Sequence, residues 1–445
     1  MLRNSPKHYR SRSVGLRPIL ARTVESESKL GTVAAPPPTR RIFYGWFVVA
    51  GTFAVTFVGF GCAYSFSAFL VSLQHEFAAS RGSISLVFSL AGFFYFGLGV
   101  IFGPLADRFG AKRLAVGGML LAGIGLAIAS VARSLGEVYA AYGLGVGFGI
   151  GSSYVPAVGA VQRWFVRRRG FASGLAVSGI GVGTLVMPPV ASLLIETLGW
   201  RETYLLLGIF AIVVGGGMAL LIEDDPARRR LGPDGEPFQS GAQPNAAAGV
   251  SIRKTIRSRR FVGLYAACCI CSFGLFVPFV HLVPYALEHG LAQSAAVLLV
   301  GAIGVGSTAG RFLLGGVADR LGRPLSFLTM FVGMGLSFVV WLLATTFWPL
   351  AIFAFVFGVF YGGFVALAPA VVIDYFGARN AASLIGILYT SVAFGTLIGP
   401  SAAGFAFDLS HSYTLPILLS TVAYAVAAAV LAATSKAPER CRCRG

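Results

Sequence analysis

The sequence predicts an all-α membrane protein with twelve transmembrane helices arranged in two pseudo-symmetric six-helix halves. Three observations predict it. The 445 residues are 56% hydrophobic and only 12% charged, with a mean hydropathy of +0.78, whereas an average soluble domain carries about 25% charged residues. Apolar stretches of about 20 residues, enough to cross a ~30 Å hydrocarbon core as helix, recur along the chain. The chain also repeats itself: Gly103-Pro-Leu-Ala-Asp107-Arg108-Phe-Gly110 returns as Gly315-Gly-Val-Ala-Asp319-Arg320-Leu-Gly322, an offset of 212 (319 minus 107). At the same offset Gly183-Thr184-Leu185-Val186-Met187-Pro188 is echoed by Gly395-Thr396-Leu397-Ile398-Gly399-Pro400, and Gly174 by Gly386. Three matches in one register imply a duplicated unit. Paired spanning halves are the architecture of secondary transporters, which bind cargo between the halves near mid-membrane.

The spans follow in order. The first half reads as 44–71, 83–106, 114–132, 136–161, 171–197 and 201–222, the second as 261–288, 293–318, 325–346, 348–375, 381–405 and 412–434. Residues 1–41 form a basic arm, 42–222 the first half, 223–260 a linker, 261–434 the second half and 435–445 a basic tail. The arm lacks the apolar core of a secretory signal. It reads as a disordered cytoplasmic segment, with a transit peptide or an over-extended start as the other readings. The linker, with Pro226, Pro233, Pro237, Pro244 and the run Arg228-Arg229-Arg230, is polar and too short to be an enzyme domain.

The formal charge of +18 raises the question of nucleic acid, and its placement answers it. Of 35 Lys and Arg, 31 fall in the termini and in the loops after even-numbered spans, while the opposite loops hold only Arg81, Arg133 and Arg201. Positive charge marks the cytoplasmic side, so both termini are expected inside a plasma or inner membrane. The basicity is topological, with attraction to anionic lipid as a side effect, and no nucleic-acid partner is expected. The six cysteines make no ligand set: Cys62, Cys268, Cys269 and Cys271 lie in apolar spans and Cys441 and Cys443 in the tail. No metal spacing is present, no cofactor is implied, and no nucleophile, base or metal set converges as an enzyme would need.

Asp107 and Asp319 fall at the C-terminal ends of spans 2 and 8, where the helix dipole is unfavourable to an anion. They call for a positive partner: nearby arginines, or the start of a helix in the opposite half near Ala381 or Phe171. Such contacts break and re-form as two halves rock, which makes Gly103, Asp107, Arg108 and Gly110, with Gly315, Asp319, Arg320 and Gly322, candidate gating residues. Simple topology-setting loop charge is the alternative.

On these residues the chain resembles the major facilitator superfamily. Gly-x-x-x-Asp-Arg-x-Gly between spans 2 and 3, repeated between 8 and 9, is similar to that superfamily's signature. Phe43-Tyr44-Gly45-Trp46 opening span 1 and Trp164-Phe165-Val166-Arg167-Arg168-Arg169-Gly170-Phe171-Ala172-Ser173-Gly174-Leu175-Ala176 leading into span 5 resemble motifs of its monocarboxylate porter branch. The resemblance covers nearly the whole chain from about residue 40.

Arg311 lies well inside span 8, and no other Lys, Arg, Asp or Glu stands deep in any span. An intramembrane charge costs a few kcal/mol and faces a cavity or a partner. With no acid available, the expected counter-ion is the ligand, since a carboxylate satisfies the planar guanidinium fork in a bidentate pair; the resemblance implies the same role for an arginine here. A structural arginine bonded to carbonyls is the other reading. Tyr64, Tyr154, Tyr361 and Tyr389 are candidate hydroxyl donors to the same anion, or packing. His281, in Val280-His281-Leu282-Val283-Pro284-Tyr285, is the candidate proton-coupling group, or a neutral hydrogen-bonded histidine.

The chain departs from the branch in four places, the first being Arg40 and Arg41 before Ile42, where animal members often carry an acid ahead of the entry motif. Ser307 stands where proton-linked animal members carry an acid one turn before the arginine. Tyr64-Ser65-Phe66-Ser67-Ala68 stands where they carry a lysine, and span 11 lacks the second cation of oxalate exchangers. One cation implies a monoanion. The expectation is a monomeric secondary transporter of a small monocarboxylate or similar organic anion, by alternating access, with protons as a possible co-substrate. Efflux of amphipathic compounds and a non-transporting receptor or scaffold are the alternatives.

Overall fold

The structure is a computed structural model that describes residues 43–236, 252–376 and 381–435. Among them, eleven helices are long and apolar enough to cross a membrane, and a twelfth crosses as a pair bent by 42°. They are α1 Gly45–Phe77, α2 Arg81–Gly97 continuing as Gly99–Phe109, α3 Ala111–Ser130, α4 Leu135–Trp164, α5 Arg169–Leu198 and α6 Trp200–Ala219. The second half supplies α7 Arg259–Glu288, α8 Gln293–Leu321, α9 Arg323–Leu343, α10 Phe347–Phe376, α11 Ala381–Ser410 and α12 Thr414–Ser435. The twelve expected spans are all present. The helices run longer than their apolar cores, because helical backbone continues into the polar rims.

Local chemistry sets the boundaries. Ser80, Ser134 and Ser258 cap α2, α4 and α7, each side chain accepting from the backbone N–H three residues on, which satisfies a donor the first turn leaves free. The last glycine of the repeated octet has a defined task. Gly110 (φ +90°) and Gly322 (φ +85°) make the turns α2–α3 and α8–α9, in a backbone region that costs any other residue steric strain.

The halves also share breaks. α1 is interrupted at Ser65, and α7 at Phe276, next to the position 212 further on. Interrupted helices at matching places in two repeats are the structural pointer to a binding site in transporters. Within the first half α1 packs on α5 and α3 on α4; within the second α8 and α9 pack on α10, and α7 on α12. The halves join through α2 against α11 and α5 against α8, a pair of contacts related by the repeat. Glycine lets them close. A Cβ on Gly304 would stand 2.5 Å from the Gly181 carbonyl and 2.6 Å from the Leu185 amide, so the backbones of α5 and α8 touch. Large apolar side chains such as Leu193, Leu336, Leu343 and Leu409 cover the outside of the bundle, exposed, as a lipid-facing surface requires.

The branch-like motifs of the first half meet each other. Phe43 packs on Trp164 and Phe165 at 5.6 and 5.5 Å between ring centres, and Trp46 on Phe165 at 5.0 Å. The chain after α6 folds onto the same corner. Trp164 Nε1 donates to the Glu223 carbonyl at 2.7 Å, and Arg229 grips the Glu223 carboxylate with two 2.7 Å bonds while lying 3.4 Å over the Tyr44 ring. Asp224 accepts from the Ala111 amide at the start of α3, and Asp234 from the amides of Val166 and Arg167. Residues 223–236 are thus fastened to the first half, and 237–251 lie outside the described residues.

Candidate functional site

α8 places Arg311 at the centre of the bundle, between the two halves. The side chain is 6% exposed, and Nε, Nη1 and Nη2 are buried with no hydrogen-bond partner among the described residues. Two helices of the second half, α10 with Tyr361 and α11 with Tyr389, and two of the first, α1 with Tyr64 and α4 with Tyr154, bring phenols around it, all within electrostatic reach. These are the four tyrosines singled out in the sequence. Tyr64 and Tyr361 share a hydrogen bond of 3.1 Å that ties α1 to α10 across the halves.

Rings close the walls. Phe60 stands 5.6 Å from Tyr64, 5.6 Å from Tyr95 and 5.1 Å from Tyr154, while Phe279 stands 4.5 Å from Tyr64 and 5.3 Å from Tyr361. Phe276, at the α7 break, and Phe96 extend the wall to Tyr361 and Tyr389.

Sequence reasoning missed Tyr95. It is buried beside Phe60, and its hydroxyl, like that of the buried Ser307 one turn before Arg311 on α8, has no hydrogen-bond partner among the described residues. The signal existed: position 95 plus the repeat offset of 212 is position 307, so the two orphan hydroxyls are repeat-related. A buried charged or polar group without a partner costs free energy. A guanidinium with no nitrogen paired among the described residues, ringed by hydroxyls, has the chemistry to accept an anion.

His281 sits elsewhere. It is fully buried in α7, with Nε2 2.8 Å from the Pro400 carbonyl and 3.4 Å from Ser85 Oγ, and Nδ1 3.3 Å from Tyr413 Oη. A carbonyl only accepts, so Nε2 carries the proton and donates to Pro400, and Nδ1 accepts from the Tyr413 hydroxyl. None of these partners belongs to the Arg311 cluster.

Of the gating candidates, Arg108 is exposed, its guanidinium 5.3 Å from the Phe109 ring, and a Cβ on Gly103 would meet nothing within 4 Å. A Cβ on Gly110 would meet Asp224 Oδ2 at 2.8 Å. The side chain of Asp107, and Gly315, Asp319 and Arg320 beyond their helical backbone, lie outside the described residues. Cys62, Cys268 and Cys271 are buried free thiols and Cys269 is half-buried, while Cys441 and Cys443 lie outside the description. Among the described residues no group of three or more His, Cys, Asp or Glu gathers to hold a metal.

The sequence profile of the Major Facilitator Superfamily matches residues 52–328 and 271–441. Monocarboxylate transporter 12-B of Danio rerio is 31% identical over 417 residues, covering 88% of this chain and 87% of the relative. Monocarboxylate transporter 11 of Homo sapiens is 31% identical over 388 residues, covering 85% and 80%. Among solved structures, a bacterial homologue of the human lysosomal transporter Spinster, inward-facing and unoccupied, superposes with a TM-score of 0.67 at 17% identity over 88% of this chain and 97% of that one.

Proposed function

Because the chain belongs to the major facilitator superfamily, in its monocarboxylate porter-like branch, we propose that it carries a small monocarboxylate through the membrane by alternating access, with Arg311 as the anchor for the anion. The observation that supports this most directly is the fully unpartnered guanidinium of Arg311 between the halves. A permanently orphaned buried charge costs several kcal/mol. A carboxylate that offsets the cost on binding makes occupancy favourable only for anions. The planar fork accepts a carboxylate edge-on in two parallel bonds, and Tyr64, Tyr154, Tyr361, Tyr389, Tyr95 and Ser307 supply hydroxyls for its remaining lone pairs. A single buried cation suits a monoanion; a second carboxylate would enter the ring-lined site without a partner.

The charge asymmetry supports a multi-pass orientation in a plasma or inner membrane with both termini inside, so that the end carrying Gly110 and Gly322 faces the cytoplasm and the end carrying Arg81 faces out. Protons enter this reading through His281. The usual helix 8 acid is replaced by Ser307, and the imidazole is a buried titratable group that meets Ser85 of the other half. Asp107 and Asp319, with Arg108 and Arg320, act as the cytoplasmic gate.

Uptake of a labelled carboxylate panel into proteoliposomes, with and without an inward proton gradient, tests the reading. Saturable uptake of one or more monocarboxylates, competed by other monoanions and not by dianions, is the expected result. Equal uptake of neutral amphipaths, insensitive to Arg311 substitution, overturns it.

A further inference from the structure

Arg81 is one of the three cations on the sparsely charged side of the bundle, and it makes more contacts across the halves than its loop position suggests. It opens α2, in the first half. Its backbone N–H donates to Asp408 Oδ1 at 3.0 Å, and that of Gly82 donates to Asp408 Oδ2 at 2.9 Å. Asp408 is the last acid of α11, in the second half. One carboxylate thus satisfies the first two free donors of α2, which are the positive end of its dipole. The Arg81 guanidinium then reaches two more elements of the second half: Nη2 pairs with Glu288 at the end of α7 at 2.7 Å, and Nη1 donates to Tyr413 Oη before α12 at 2.8 Å. Its flat face lies 4.0 Å over the Phe407 ring.

The layer beneath repeats the pattern. Ser401 Oγ donates to Ser89 Oγ at 2.9 Å, and a Cβ on Gly404 would stand 2.7 Å from the Gly82 Cα. Tyr413, held by Arg81 above, holds His281 below.

We propose that Arg81 and Asp408, with Glu288 and Tyr413, form a polar latch that holds this end of the transport path closed, and that the latch must break in every cycle. The inference rests on the alternating-access reading above. Its physical basis is geometric: each contact joins elements of opposite halves, so opening this end breaks all of them together. The side chains of Arg81 and Glu288 are 18% and 33% exposed, so water can take over their hydrogen bonds when they part. The cost of opening stays modest, as a reversible latch requires. A fully buried pair would hold the transporter shut.

Two measurements in cells expressing the full chain test it. The first uses Ser89→Cys as a reporter for a membrane-impermeant thiol reagent added outside. Arg81→Gln and Asp408→Asn are each expected to raise its labelling rate about five-fold, because the open population grows; Arg133→Gln, on the same side and outside the latch, leaves it unchanged. Unchanged labelling in both latch variants, with normal surface expression, overturns the proposal. The second keeps the latch intact. In Ser89→Cys with Ser401→Cys, oxidation is expected to abolish transport and a reductant to restore it. Undiminished transport by the oxidised, cross-linked protein shows that this end need not open and overturns the proposal. The labelling arm reads conformation without substrate, so a failure of the monocarboxylate reading leaves it standing.

Discussion

Arg311 carries the most information of any single residue, because nothing in the described protein pays back the cost of burying it. Arg311→Lys keeps the charge but replaces a planar fork with a point donor on a shorter reach. Its uptake of every monocarboxylate is expected to fall more than about tenfold while the protein inserts and unfolds at its usual temperature; uptake near wild type would show that no bidentate pair forms. Tyr95→Phe is the complementary probe. The hydroxyl has no hydrogen-bond partner among the described residues, so its removal breaks no internal bond and is expected to leave the melting temperature unlowered, and any rise in apparent KM then reports a contact with substrate. His281 gives a third test. If it carries the coupled proton, His281→Gln removes the acceleration by an inward proton gradient and leaves counterflow exchange intact; a preserved gradient response assigns the histidine to the structure it braces with Pro400 and Tyr413.

Between elements, the contacts of glycine separate packing from motion. Gly304→Val pushes a side chain into the backbone of α5, and overpacking of this kind costs about 1–3 kcal/mol, so the melting temperature is expected to drop by several degrees. Gly103→Ala meets empty space and removes a flexible residue from a helix, which is neutral or stabilising by up to about 1 kcal/mol. Loss of transport in that variant would report gating at the repeated signature, since packing is spared. The corner built by Tyr44, Trp164 and Glu223 has a pH signature. Two hydrogen bonds from Arg229 hold the Glu223 carboxyl below its ordinary 4.5. A group depressed in the folded state contributes stability above its unfolded value and loses it as pH falls through the folded one. The melting-temperature gap between wild type and Glu223→Gln is therefore expected to stay constant from about pH 7 to 5 and to close below about pH 4.

For the whole molecule, the proposed cytoplasmic gate and the proposed latch make opposite predictions about which end opens. Neutralising Asp107 or Asp319 is expected to favour opening at the Gly110 end, and neutralising Arg81 or Asp408 opening at the other. Contacts at helix ends are worth about 0.3–1 kcal/mol, or up to ~2 when partly buried, so each change shifts populations several-fold without unfolding the chain. Sites this far apart add. Asp107→Asn combined with Arg81→Gln should return labelling of a cysteine on either cavity wall toward the wild-type rate, and a double variant that follows only one parent would mean that one of the two sets does not bear on the equilibrium.

The sequence by itself determined the class of the molecule. Composition and span length require helices in lipid, where every backbone group must bond within its own segment. The 212-residue repeat required two halves and singled out Gly110 and Gly322 as matching positions, and a lone buried arginine could be found by counting charges. These features are local or periodic, so one dimension holds them. Only the tertiary structure decided which groups meet. Tyr64 bonds Tyr361 from 297 positions away, and Tyr95 joins the ring around Phe60 although nothing in its own span marks it. The contacts of Arg81 are the clearest instance. Arg81 read as one loop cation among three, and nothing in the sequence singled out Asp408 or Glu288. Their joint role arises from how α2 and α11 pair across the halves, because a hydrogen bond depends on distance in space and sequence specifies only distance along the chain.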